Sequence, residues 1–137
     1  MSFKNLLSFQ KKLKKRAVDN PLDNAEDLIT RATRLVNNRA IESILRDPKT
    51  GAVYGKHQAS AAGEAPASDT GFLAGSISYQ VDRSSNEVVG TVKVSAPYAA
   101  PLEFGTRNIA PRPFLQPALE QNRPRIRKMF KDGGLIK

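Results

Sequence analysis

The chain has 137 residues, 39% of them hydrophobic and 26% charged, with no cysteine, one histidine and a formal net charge of +9. That length suits one domain, residues 1–137, with a thin core, and the missing thiols exclude a disulfide framework and any thiolate metal site. No apolar stretch nears the roughly 20 residues that span a bilayer, and the N-terminus lacks the apolar centre of a secretion signal, so a soluble product with no membrane partner is expected.

In chain order, Phe3, Leu6, Leu7, Leu13 and Ala17 recur at loose helical spacing among Lys4, Lys11, Lys12, Lys14, Lys15 and Arg16. This predicts an amphipathic helix over residues 3–18. Asn20, Pro21 and Asp23 then read as a helix start: Asn can cap, Pro is preset for the first turn, and Asp faces the positive end of the dipole. Ala25, Leu28, Ile29, Ala32, Leu35, Val36, Ala40, Ile44 and Leu45 follow at three- and four-residue steps. They predict one long helix up to Arg46, ended by Asp47-Pro48.

Residues 49–68 are rich in Gly, Ala, Ser and Pro, with Val53 and Tyr54 as the sizeable apolar members. An extended loop that orders mainly in an assembly is expected, since long structureless segments in compact domains are usually functional or disordered until bound. Asp69 or Thr70 can cap a short turn whose Phe72 and Leu73 are expected to point into the core. Ile77, Tyr79 and Val81, then Val88, Gly90, Val92 and Val94, alternate with mostly polar residues around a reversal at residues 83–86. This is an antiparallel hairpin, and burial of Ile77, Tyr79, Val81, Val92 and Val94 against the long helix, at about 1.5–3 kcal/mol for each fully buried side chain, is expected to hold it.

Pro97 and Pro101 take the chain out of the sheet. Leu102-Glu103-Phe104-Gly105-Thr106 should form a tight turn with Phe104 inward and Gly105 at the bend. Pro111, Pro113 and Pro117 stiffen the approach to a last helix, about Phe114 to Phe130, which Pro124 is expected to kink or divide. Its apolar members are Leu115, Ala118, Leu119, Ile126, Met129 and Phe130, Gly133-Gly134 stops it, and loose terminal residues follow. The fold class is α+β: an antiparallel β-hairpin or sheet packed on a long helix, with N- and C-terminal helices and a long loop.

Chemistry is sparse in these residues. His57 alone supplies one imidazole, so neither a metal site nor a cofactor is expected. Ser76, His57 and Asp69 form a triad only on paper, without a nucleophile elbow, and the stretch Gly51 to Lys56 lacks the spacing of a phosphate-binding loop. Glu103 has no second carboxylate near it in sequence, which favours a salt bridge or a capping contact over acid catalysis. No catalytic residue is assigned.

The positive charge sits at the two ends, the second cluster being Arg123, Arg125, Arg127, Lys128, Lys131 and Lys137. It suits either solvated helix faces or contact with DNA backbone or a charged partner. No sequence-reading motif accompanies it, so any DNA contact should be non-specific and salt-sensitive.

The order of short motifs resembles the head-to-tail joining, or tail-completion, family of long-tailed bacteriophages. The motifs are His57-Gln58-Ala59-Ser60, Gly63-Glu64-Ala65-Pro66, Asp69-Thr70-Gly71-Phe72-Leu73, Pro97-Tyr98-Ala99, Glu103-Phe104-Gly105-Thr106 and Pro113 to Leu119. Phe72 departs from the pattern, because the family often has a basic residue after the Asp-Thr-Gly turn. The resemblance implies a structural virion protein of the neck, made in the host cytoplasm and assembled as a ring of six. It would join the head connector or stopper proteins to the tail tube or tail terminator, with genome DNA passing through the lumen. A tail terminator ring and a non-specific DNA-binding protein are the alternatives. Tyr54, His57, Asp69, Thr70, Tyr98, Glu103, Phe104, Gly105 and Thr106 are the expected subunit or partner contacts. Lys11, Lys12, Lys14, Lys15, Arg16, Arg123, Arg125, Arg127 and Lys128 are the expected electrostatic surface.

Overall fold

A computed structural model describes residues 11–12, 21–68 and 71–137. Helix α1 is Pro21–Leu45, as its apolar repeat predicts, with Asp23 in its first turn. At 25 residues it is about 37 Å long, enough to underlie the whole sheet. Strands β4 (Ile77–Arg83) and β5 (Glu87–Val94) pair antiparallel from Ile77 opposite Val94 to Arg83 opposite Val88. Two residues, Lys11–Lys12, form β1 and pair antiparallel with Val88 and Glu87, making a three-stranded sheet in the order β1-β5-β4. A helix through residues 11 and 12 is therefore incorrect, because their backbone pairs with β5. The rest of the expected N-terminal helix lies outside the described residues.

The core forms where α1 crosses one face of this sheet. Ala25, Ile29, Ala32, Val36 and Ile44 of the helix are buried with Ile77, Val88, Val92 and Val94 of the strands. Gly90 lies so close to α1 that a Cβ there would fall 1.9 Å from Thr33 Oγ1. Strand β5 buries Val88, Gly90, Val92 and Val94 as its alternation predicts, with Thr91 of the opposite face buried as well, but Tyr79 is exposed and Val81 half-buried. Their strand is an edge of the sheet, pairing with β5 alone among the described residues. Outside the core, Arg83 bonds both Asp23 (2.5 Å) and Glu26 (2.8 Å), tying the end of β4 to the first turns of α1.

Helix α4, Leu115–Asp132, packs along α1 through Leu115, Ala118, Leu119, Ile126 and Phe130. Pro124 lies inside it without dividing it. Gly134, at φ 76°, lets its amide bond Lys131 O while the Leu135 amide reaches Phe130 O. That is a Schellman end. It buries Leu135 rather than leaving the terminus loose.

The segment 49–68 also differs from expectation. It holds a small antiparallel hairpin, β2 (Val53–Tyr54) with β3 (His57–Gln58), turned by Gly55 at φ 62°. Glu64 fastens the base of this segment, since its carboxylate accepts from the Thr50 amide, the Thr50 hydroxyl and the Ala61 amide. The Gly63 amide then donates to Pro111 O. A glutamate three residues after the amide it binds gave the segment an internal anchor that composition concealed.

Candidate assembly surface

Two one-turn helices set the geometry. In α2, Phe72–Gly75, the chain enters through Gly71 at φ 78°, with no side-chain cap on that residue. The expected caps Asp69 and Thr70 lie outside the described residues. Leu73 and Ala74 are buried, which turns Phe72 outward to 57% exposure, contrary to the expectation that it anchors the core. A four-residue helix can bury only one side, and the two residues after Phe72 occupy it.

The same division governs α3, Ala99–Phe104. Glu103 is buried, and its carboxylate accepts from the amides of Phe114 (2.7 Å), Leu115 (3.0 Å) and Gln116 (2.7 Å). These are orphan donors at the start of α4, so Glu103 caps a helix that begins twelve residues later. The capping role is found, and the carboxylate faces the chain interior rather than an outside contact. With Glu103 directed inward, Phe104 points to solvent at 61% exposure, correcting its inward placement.

Gly105 sits at φ 74°, ψ 172°, a region open essentially to glycine alone, and a Cβ would meet Ile109 O and Pro111 Cδ at 2.9 Å. Thr106 closes the next turn: its hydroxyl accepts from the Asn108 and Ile109 amides, and its own amide donates to Ile109 O at 2.8 Å. In Glu103-Phe104-Gly105-Thr106, three residues therefore build the corner from within. Phe104 faces outward from it.

Around this corner lies an open, largely apolar groove of about 570 Å³. Phe72 and Tyr98 stand together on its rim, with ring centroids 6.1 Å apart and planes tilted by 40°. Ile44, Leu102 and Ile109 supply further apolar lining, and His57, Ser60, Pro66 and Gly71 line it from the earlier motifs. Arg112 braces one wall, its amide donating to Leu102 O (2.6 Å) and its guanidinium reaching Ser60 O at 3.4 Å. Tyr98 and Ile109 are each 43% exposed. Tyr54, 69% exposed, pairs in register with His57 on the small hairpin. Stretches spread from residue 57 to residue 112 thus converge on one side of the protein.

No protein family, curated protein or solved structure matches this chain.

Of the expected contact residues, the structure brings His57 and Tyr98 to this groove and leaves Tyr54 exposed on the small hairpin, while Gly105 and Thr106 shape the corner beside it. Phe72, Ile109 and Arg112 were not singled out as contacts from the sequence, because nothing in a one-turn helix or an irregular loop reveals which way a residue faces. Among the charged candidates, Arg123, Arg125, Arg127 and Lys128 are exposed on α4. Lys11 and Lys12 belong to β1, and Lys14, Lys15 and Arg16 lie outside the described residues. Among the described residues, no three His, Cys, Asp or Glu side chains gather as a metal site, and no helix is long and apolar enough to cross a membrane.

Proposed function

We propose that this chain is a structural neck protein of a long-tailed bacteriophage, a ring of six copies that joins the head connector to the tail tube and catalyses no reaction. The observation that supports this reading most is the convergence of the motifs on one exposed aromatic groove. Contiguous exposed apolar surface in a soluble protein marks a site of association, and the rim of Phe72 and Tyr98 has the aromatic character of interface centres.

A second feature points the same way. Strand β4 is an edge of the sheet, with no strand on its outer side among the described residues. Edges of this kind are templates for pairing unless a neighbour covers them, and a closed ring covers each subunit's edge and groove with the next copy. Head connector or stopper proteins and the tail tube or tail terminator are the further partners in this reading. The virion neck is the location, reached after synthesis in the host cytoplasm.

The test is to add the purified protein to tailless heads and headless tails and count joined particles. Joining that depends on the protein is the expected result; failure to join in the presence of folded protein contradicts the assignment.

A further inference from the structure

The outer face of α4 carries a patch of a different kind. Its inner side is committed to α1, while Arg123, Arg127 and Lys131 follow one another at four-residue steps on the outside, with Lys128 beside them. Each step advances about 6 Å along the axis, so the cations form a ridge rather than a point. They line a shallow basin of about 420 Å³ whose only other lining residue among the described residues is Pro124, with no carboxylate among them.

Three arginines elsewhere are neutralised, while the exposed Arg34, Arg46, Arg107 and Arg125 have no ion pair among the described residues. Arg31 pairs with Asp27, Arg39 with Asp47, and Arg83 with Asp23 and Glu26. On the ridge Arg123 bonds Glu120 at 2.9 Å, whereas Arg127, Lys128 and Lys131 have no ion pair among the described residues. Three or four cations held on a rigid helix repel one another, and a polyanion relieves that repulsion.

We propose that this ridge binds the phosphate backbone of duplex nucleic acid without reading its sequence. A folded protein partner fits less well, since stable protein interfaces centre on apolar and aromatic anchors and Pro124 is the basin's one apolar member among the described residues. Phosphate contact needs only cations at the surface and releases counterions from the duplex. The proposal deepens the neck reading and rests on it only for the source of the duplex, the genome in the lumen. It also identifies α4 as the element facing that lumen.

The experiment measures binding of the full-length protein to a 30-base-pair duplex of arbitrary sequence between about 50 and 200 mM salt. Each phosphate contact contributes about 0.9 to the slope of log affinity against log salt. The combined variant R123Q/R127Q/K128Q/K131Q should lower the slope by about three to four and lose about two orders of magnitude in affinity at the low-salt end. The milder K128Q/K131Q, which leaves more of the ridge in place, should lower it by about two.

A variant that keeps the wild-type slope would assign binding to charges elsewhere in the chain and overturn the proposal. So would absence of wild-type binding at low salt, or equally tight binding of polyglutamate with the same loss in the variants. A protein that joins heads to tails but ignores the duplex removes this inference alone. One that binds the duplex through α4 but joins nothing removes the neck reading alone.

Discussion

Replacing Gly90 by alanine tests the packing of the sheet on α1. The added Cβ would stand 1.9 Å from Thr33 Oγ1 and 3.1 Å from Ile29 Cγ2, against the fully buried Thr33. The Thr33 hydroxyl donates to Ile29 O at 2.7 Å. Relief therefore requires one of two changes. Either Thr33 rotates and leaves a buried hydroxyl without its acceptor, or β5 lifts from α1 and opens the core around Val88 and Val92. Overpacking of this kind costs about 1–3 kcal/mol and a lost buried hydrogen bond a similar amount, so Gly90→Ala should destabilise by about 2–3 kcal/mol. Urea denaturation followed by circular dichroism reads this as a lower midpoint with an unchanged slope. Thr33→Ala removes the obstructing atoms. In that background Gly90→Ala should cost at least about 1 kcal/mol less, a coupling of the size found between residues in contact. A Gly90→Ala protein within about 0.5 kcal/mol of wild type, or a cost unchanged by Thr33→Ala, would refute the close approach of strand and helix.

Glu103→Ala leaves three amides at the start of α4 without an acceptor and should cost about 3 kcal/mol, read from the denaturation midpoint; a loss under about 1 kcal/mol would contradict the cap. Hydrogen bonds from the Thr50 hydroxyl and the Ala61 and Thr50 amides hold the Glu64 carboxyl below its ordinary value. The folded value being depressed, its contribution is complete above the unfolded glutamate value, about pH 4.3, and disappears as the pH falls through the lower folded value. Amide exchange at Thr50 and Ala61, corrected for its intrinsic pH dependence, should lose protection across that acid range. Glu64→Gln should weaken the protection at neutral pH. Asp47, lowered chiefly by its hydrogen bonds from Arg39, follows the same sign: the tie between the end of α1 and the following turn is present at neutral pH and lost in acid.

The α+β architecture was legible in the sequence because its signals are long. The apolar repeat of α1 persists through seven turns, and the alternation of β5 from Val88 to Val94 leaves one face for the core. For Glu103 the sequence left a salt bridge and a capping contact both open, because the amides it caps lie too far along the chain to name. The errors came where elements are a single turn long. Phe72 and Phe104 were placed inward because they are aromatic, but a one-turn helix has one buried side, and Leu73 with Ala74, then Glu103, occupied it. Tyr79 satisfied the strand period yet lies on the edge strand, a position that only the order β1-β5-β4 reveals. The groove itself was not visible, since its walls come from stretches whose separation in sequence exceeds any local pattern.

In the function proposed above, the aromatic groove is the face through which this protein assembles. Phe72→Asp and Tyr98→Asp, made together, change two exposed side chains and should leave the denaturation midpoint within about 1 kcal/mol of wild type. The direct measurement is the yield of joined particles when this folded variant replaces wild type in a mixture of tailless heads and headless tails. At least a tenfold loss is expected, equal to about 1.4 kcal/mol of association free energy. Wild-type joining by a folded variant would contradict it.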